Sequence, residues 1–368
     1  MIIAINVRRH STAVGTYNFV INCCTHLATM HPNSVFVCIS NQTIKLPKSL
    51  PNIQCILLPQ PFNNSISTAY WYNYTLPAAI KKCKANILLH IDGVTALKVN
   101  IPQYTFANEM DDGNAKVVTD KFITKKQMLF FNKATAIFVQ TNISKVLIQQ
   151  KLGIDTKKIK VILPGFNQQF VAINWQQQQA IKEHYTNGVD YFLHASNLTH
   201  TTEIIQVLKA FTQFKKRQKS NMKLVLLAHN ITTDNAVINS LQLYKHKADI
   251  VLLVDENSAA VCNLTAAAYA CIQTEPHQNN FTAYLNIMQC NVPLIVAENL
   301  HTSEILQQAA LYVNSTDAQA LAQAMMLLFT NEDKRNQYIH TATTLSNQYN
   351  WQQTATTFWQ QIATMAYC

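Results

Sequence analysis

The run Tyr191-Phe192-Leu193-His194-Ala195 decides the fold. It is short and almost continuously apolar, the pattern of a strand buried on both faces. A helical pattern over 202–217 follows, and then a second apolar run, Lys223–Ala228. Strand, helix, strand is a βαβ unit, which implies parallel pairing. Toward the C-terminus, strands expected at 250–254, 270–273, 293–296 and 310–314 alternate with helices at 259–268, 282–290 and 303–309. Helical patterns at 317–329, 333–349 and 351–366 close the chain. Toward the N-terminus, the polar stretch Asn167–Gln179 reads as a boundary. Before it lies an earlier series, with strands at 2–7, 34–40, 53–58, 85–90, 103–107, 136–140 and 159–163. Its helices fall at 17–29, 66–82 (interrupted near Pro77), 121–133 and 144–152, with Gly15 in the first strand–helix loop. Two such series predict an α/β protein of two doubly wound lobes, 1–170 and 171–350, with the closing helix 351–368 returning to the first. Ligands in such sheets bind beyond the carboxyl ends of the strands. The expected site is therefore a cleft across which the lobes face each other.

Composition narrows the chemistry. Hydrophobic residues make up 48% of the 368 and charged residues only 13%, so the surface relies on neutral polar groups, as in Trp175-Gln176-Gln177-Gln178-Gln179. There are six glycines, under a third of average usage of about 7%. Glycine lets a backbone approach a ligand closely, so the usual glycine-rich phosphate loops are absent or built differently. The net charge of +10 is dispersed, with its densest runs at Lys81-Lys82-Cys83-Lys84, Lys157-Lys158 and Lys215-Lys216-Arg217. This suits a solvated surface or a weak attraction to an anionic membrane face. No nucleic-acid motif accompanies it, and nucleic-acid binding is not expected. The nine cysteines form no Cys-x-x-Cys pair and sit mostly in apolar runs, as buried thiols do in a reducing compartment. Neither a signal peptide nor a run long enough to span a membrane is read. The expected location is cytoplasmic, with peripheral contact at the inner membrane face.

Particular segments go further. Met288-Gln289-Cys290-Asn291-Val292-Pro293-Leu294-Ile295-Val296, Ser303-Glu304-Ile305, Ala309-Ala310-Leu311-Tyr312-Val313, the stretch 317–324 and Trp351 resemble the donor lobe of the family 4 nucleotide-sugar glycosyltransferases (glycosyl transferases group 1). Tyr191–Ser196 and the helix after it resemble the opening of that lobe. Asn6-Val7-Arg8, Val14-Gly15-Thr16-Tyr17 and Pro164-Gly165-Phe166-Asn167 resemble, more loosely, parts of the first lobe. The resemblance implies a GT-B-like fold of two Rossmann-like lobes. It also implies a retaining transfer of a hexose from a nucleoside diphosphate sugar to a glycan or lipid-linked acceptor, with no metal and no cofactor beyond that co-substrate.

The resemblance also assigns positions, and many are replaced. The leaving diphosphate needs cations or helix N-termini aimed at it. The family's basic pair falls on Thr201 and Thr202, its following Asn on Glu203, and its loop glycine on Ser196. Its two glutamates, eight positions apart, fall on Gln278 and Asn286, and the glycines between them on Asn279 and Phe281. Amides hydrogen-bond but carry no charge. Its acceptor-lobe His-Asp falls on Asn108-Glu109. Glu304 keeps its family place, and His200 and His277 stand beside altered positions as candidate donors. The expected donor-binding set is Ser196, His200, Thr201, Thr202, Gln278, Asn279, Asn280, Asn286 and Glu304. Gly15 and His90 are expected on the acceptor side.

Plainer readings stand beside these. His90 ends a strand and reads as a packed core or cleft-rim residue, His194 on a buried strand reads as a core histidine, and Asp92 reads as a loop residue. Tyr70-Trp71-Tyr72 and Tyr74 read as core and wall, or as an aromatic shelf for a sugar or lipid. Two functions follow. One is a degenerate glycosyltransferase-like partner of an active glycosyltransferase or other protein in glycan or envelope polysaccharide synthesis. The other is a divergent active enzyme.

Overall fold

The computed structural model describes residues 1–8, 14–44, 50–60, 64–107, 121–196, 201–228, 241–274 and 281–363. They form two compact units, Met1–Gly165 with Tyr349–Cys368, and Phe166–Gln348.

Unit 1 is built on seven parallel strands: β1 (Ile2–Asn6), β2 (Val35–Ser40), β3 (Ile53–Leu57), β4 (Ile87–His90), β5 (Gln103–Phe106), β6 (Ala136–Val139) and β7 (Ile159–Val161). Their order is β3-β2-β1-β4-β5-β6-β7, so the sheet reverses direction of growth between β1 and β4. Helix α1 (Val14–Met30) packs Phe19, Val20, Cys23 and Leu27 onto one face. Gly15, expected in a loop, lies in the first turn of this helix.

On the other face, α2 (Ser65–Tyr70) runs through a π-helical turn, 71–75, into α3 (Leu76–Cys83). The interruption expected near Pro77 is this turn. Pro77 has no N–H to donate to the carbonyl four residues back, and the Leu76 N–H reaches Trp71 O, five back. The turn sends Trp71 and Tyr72 into the core while Tyr70 and Tyr74 stay exposed. Helices α4 (Lys121–Lys133) and α5 (Asn142–Leu152) complete the unit's N-terminal part.

Unit 2 opens with α6 (Trp175–Thr186). This helix takes up the second half of the stretch read as a boundary. Four consecutive glutamines hide its periodicity, and a reciprocal cap sets its start, Asn174 Oδ1 accepting from Gln177 N at 2.9 Å while Gln177 Oε1 accepts from Asn174 N at 3.0 Å. Six parallel strands follow: β8 (Tyr191–Ser196), β9 (Lys223–Ala228), β10 (Ile250–Val254), β11 (Ala270–Gln273), β12 (Leu294–Ala297) and β13 (Ala310–Val313). Their order is β10-β9-β8-β11-β12-β13, with the reversal between β8 and β11. The strands are joined or flanked by α7 (Thr201–Gln218), α8 (Ser258–Ala267), α9 (Phe281–Gln289), α10 (Leu300–Leu306), α11 (Ala318–Thr330) and α12 (Glu332–Ser346). Within the basic run that ends α7, Lys215 is turned inward. Its ammonium donates to Ser220 O at 2.6 Å and pairs with Asp249 at 2.9 Å.

The last helix, α13 (Trp351–Ala363), belongs to unit 1. Trp351, Ala355, Phe358 and Ile362 repeat at helical spacing and are buried. Phe358 meets Phe138 edge-on at 4.8 Å and stacks on Phe106 at 5.5 Å. Thr354 Oγ1 donates to Leu163 O at 2.8 Å. Gly165 is required by this packing, because a Cβ there would stand 2.6 Å from the Trp351 backbone nitrogen.

Gly165→Ala is therefore expected to cost about 1–3 kcal/mol by overpacking, and Phe358→Ala about 3–5 kcal/mol by cavity formation. In hydrogen-exchange measurements both should lower protection in α1, α13 and the unit 1 sheet. Unchanged protection there would refute the assignment of α13 to that core.

Candidate functional site

In each unit the place to look is the carboxyl edge at the reversal of strand order. In unit 2 this lies where β8 and β11 end. Ser196 closes β8, and Thr201 and Thr202 open α7. His200, Gln278, Asn279 and Asn280 lie outside the described residues, as do His277 and, in unit 1, Asn108 and Glu109. β8 and β11 pair in parallel, so their carboxyl ends lie at one edge of the sheet.

The described residues there are informative. Glu203 sits in the first turn of α7, where its carboxylate meets the positive end of the helix dipole. Phe281 opens α9 with its ring buried, 6.5 Å from that of Tyr284. Asn286, one turn further on, is buried, and its Oδ1 accepts the Asn167 N–H at 2.7 Å. The amide thus ties the start of unit 2 to α9. Glu304 is half-buried on α10. Thr274 follows β11, is 1% exposed, and its hydroxyl has no hydrogen-bond partner among the described residues. His194 is a core histidine, with Nδ1 2.9 Å from Ile272 O on the neighbouring strand.

In unit 1 the reversal point is occupied by a buried polar network. Asn6 and His90 end β1 and β4 and are register partners. Asn6 Oδ1 accepts from Trp71 Nε1 at 2.9 Å, while Asn6 Nδ2 donates to the Tyr72 hydroxyl at 3.0 Å and lies 3.3 Å from His90 Nδ1. Gln103 fixes the histidine tautomer. Its Nε2 donates to Ala96 O and Val99 O, so its Oε1 is the acceptor, taking Ala96 N at 2.8 Å and His90 Nε2 at 2.9 Å. The ring hydrogen is therefore on Nε2, and Nδ1 accepts from Asn6. Burial pushes the His90 imidazolium down to about 4, so the ring is neutral. His90 is fully buried and is not a surface base.

The charges of this network come two residues beyond the strand ends. Arg8, 1% exposed, donates from Nε to Gln60 Oε1 at 3.0 Å and from Nη2 to Thr68 Oγ1 at 2.8 Å. Asp92 accepts the Tyr72 hydroxyl. Burial raises its carboxyl to about 6, against the pull of the Tyr72 hydrogen bond and the Arg8 charge. A carboxyl near 6 can exchange a proton close to neutral pH. Asp92 lies in the loop after β4, as read from the sequence, and places a buried acid at this edge. The sequence clue is positional, since Arg8 and Asp92 stand at equivalent offsets after register-paired residues. Of the aromatic run, Trp71 and Tyr72 are network members. Tyr70 and Tyr74 lie on the surface with ring centroids 5.4 Å apart, and Lys98 Nζ is 4.3 Å from the Tyr74 ring centre.

The folded-state value of Asp92 lies above its ordinary 3.8, so the folded protein binds that proton more tightly. The resulting stability is complete below about pH 4 and is lost as pH rises through about 6. Thermal midpoints of the wild type should fall across this window relative to Asp92→Asn, by the equivalent of about 3 kcal/mol. Parallel curves would show that Asp92 does not titrate there.

Among the described residues no helix is long and apolar enough to cross a membrane, and no group of three or more His, Cys, Asp or Glu is placed to hold a metal ion. Residues 176–344 match the family model of glycosyl transferases group 1. No curated protein matches the sequence. Solved structures similar to the chain include sucrose-phosphate synthase from Thermosynechococcus elongatus, at TM-score 0.79 and 12% identity, covering 99% of this chain and 98% of that one. Anabaena HepE in complex with UDP-glucose is similar at TM-score 0.76 and 11% identity, covering 99% and 100%. A glycosyltransferase from Rickettsia africae is similar at TM-score 0.74 and 14% identity, covering 98% and 97%. The protein is thus glycosyltransferase-like, with the GT-B fold of two parallel doubly wound sheets and a group 1 sequence match over residues 176–344.

Proposed function

We propose that this protein has lost most or all nucleotide-sugar turnover and serves glycan or envelope polysaccharide synthesis as the partner of an active glycosyltransferase. The observation that carries this reading is the charge at the unit 2 reversal point. A diphosphate leaving group needs positive ends aimed at it. The N-terminus of α7 instead carries Glu203 in its first turn, where Thr201 and Thr202 replace the basic pair implied by the family resemblance. Two further features support it. Phe281, in place of a glycine, puts a buried ring at the start of α9, and the Asn286 carboxamide oxygen receives a backbone N–H of its own unit.

A second reading, a divergent active hexosyltransferase, is favoured by Thr274. A buried hydroxyl with no partner among the described residues, at the carboxyl end of β11, is the state expected of a group that meets a ligand. In either reading the work is proposed for the cytoplasmic face of a membrane, in peripheral contact with it. The exposed Ile66, Tyr70 and Tyr74 beside Lys98 support such contact or an acceptor shelf.

Calorimetric titration with nucleoside diphosphates and their sugars tests the choice. The partner reading expects binding weaker than about 1 mM, or none, and no turnover; robust transfer of a sugar overturns it. Glu203→Gln removes a negative charge from the diphosphate site. It should strengthen nucleoside diphosphate binding about tenfold at low salt, while an unchanged affinity would separate Glu203 from that site.

A further inference from the structure

The edge of the unit 1 sheet carries two thiols that the proposed function does not use. Strands β2 and β3 pair in parallel with Cys38 directly opposite Cys55. Register partners project to the same face, and neighbouring strands lie about 4.8 Å apart, inside the roughly 4.4–6.8 Å separation of Cα atoms that a disulfide spans. The two thiols are differently placed. Cys38 is buried in the core beneath α1, whereas Cys55 is exposed on β3, the outermost strand at this end of the sheet among the described residues. An edge strand held by one neighbour can adjust to a new link more easily than a central one.

Their chemistry differs in the same sense. Interaction with the neighbouring Cys38 thiol pulls Cys55 down to about 7, while interaction with Cys55 and burial push Cys38 up. The buried thiols of Cys24 and Cys290 are pushed up to about 12. The thiolate is the nucleophile in disulfide exchange. Cys55 is thus accessible, is the more acidic of the two thiols, and faces Cys38 as its register partner.

We propose that Cys55 and Cys38 form a thiol–disulfide exchange site on the edge of unit 1, with Cys55 as the attacking and Cys38 as the resolving thiol, and with small-molecule disulfides of the glutathione type as oxidant. In the first step the Cys55 thiolate attacks one sulfur of the disulfide. The sulfur–sulfur bond breaks, one thiolate leaves and takes a proton from water, and a mixed disulfide forms on Cys55. In the second step Cys38 gives its proton to water and its sulfur attacks Cys55 Sγ, expelling the second small thiolate. Two protein thiols are oxidised to one disulfide, and one small disulfide is reduced to two thiols. The product staples β3 to β2 three residues after Asn52, whose amide donates to Ala28 O, His31 O and Ser34 O and already fixes that end of the edge strand. It lies five residues before Gln60, which holds Arg8.

The test treats the native, reduced full chain with oxidised glutathione, quenches with acid, alkylates the remaining thiols and maps the peptides by mass. The expected wild-type product has lost two thiols, retains no glutathione and contains a peptide linking Cys38 to Cys55. Cys38→Ala should stop at a single glutathione on Cys55. Cys55→Ser, a change at an exposed position, should slow thiol loss at least tenfold. The proposal is overturned if the wild type keeps a stable adduct on Cys55 with no cross-link, if another cysteine reacts first, or if Cys55→Ser reacts at the wild-type rate. Should Cys38→Ala fail to fold, the wild-type map and Cys55→Ser decide alone.

Discussion

The side chain of Asn6 holds together the point at which the unit 1 sheet changes its order of growth. One carboxamide accepts from an indole and donates toward a phenol and an imidazole, all of them buried. A buried polar group without partners costs more than a hydrogen bond returns, so each member depends on the others being in place. Asn6 orients Tyr72, Tyr72 meets Asp92, and the Asp92 carboxylate balances the charge of the buried Arg8. Gln103 closes the other end by fixing the His90 tautomer. Helix α2, the π turn, β1, β4 and β5 are therefore bound at one locus by directional bonds as well as by apolar burial. At the corresponding locus in unit 2, His194 Nδ1 lies 2.9 Å from Ile272 O and so bridges β8 and β11.

Much of the architecture is legible in the sequence because parallel strands buried on both faces are written as unbroken apolar runs. Tyr191–Ala195 and Ile250–Val254 are read this way and are strands, the first extending one residue further, to Ser196. Helix α6 is not legible, since Gln176–Gln179 present no apolar stripe and the cap at Asn174 acts through geometry. Gly15 misleads for the opposite reason: glycine suggests a loop, yet here it sits in a helical turn. The polar network escapes because its members lie far apart in the chain. Asn6, Tyr72, His90 and Gln103 acquire meaning only when the strand order puts β1 beside β4 and β4 beside β5. The thiol pair is hidden likewise, since nothing in the spacing of Cys38 and Cys55 announces a register.

The charge balance also reads differently in three dimensions. Lys215 is a buried tie between the end of α7, the turn after it and Asp249. Lys182 pairs with Asp190 at 2.6 Å, and the Lys158 ammonium donates to Asn132 O at 2.7 Å. Part of the net +10 therefore serves local structure. A sheet protein with few glycines and few charges must terminate its helices by other means. Asn64, Asn174, Asn257, Asn299 and Asn331 all cap helix starts through their side-chain oxygens. The abundance of asparagine has a structural role at these positions.

The π turn at 71–75 sets the tolerance of this segment to changes in length. A π turn is in effect an α-helix with one residue too many. Deleting a residue between Asn64 and Cys83 would restore regular helical bonding and a better local conformation. It would also rotate one half of the segment relative to the other by about a quarter-turn, withdrawing either the indole and phenol from Asn6 or Leu76 and Ile80 from the sheet. Insertion would compound the surplus. Descendants of this chain should therefore accept substitution at exposed positions such as Ala78, while the length of the segment stays constant.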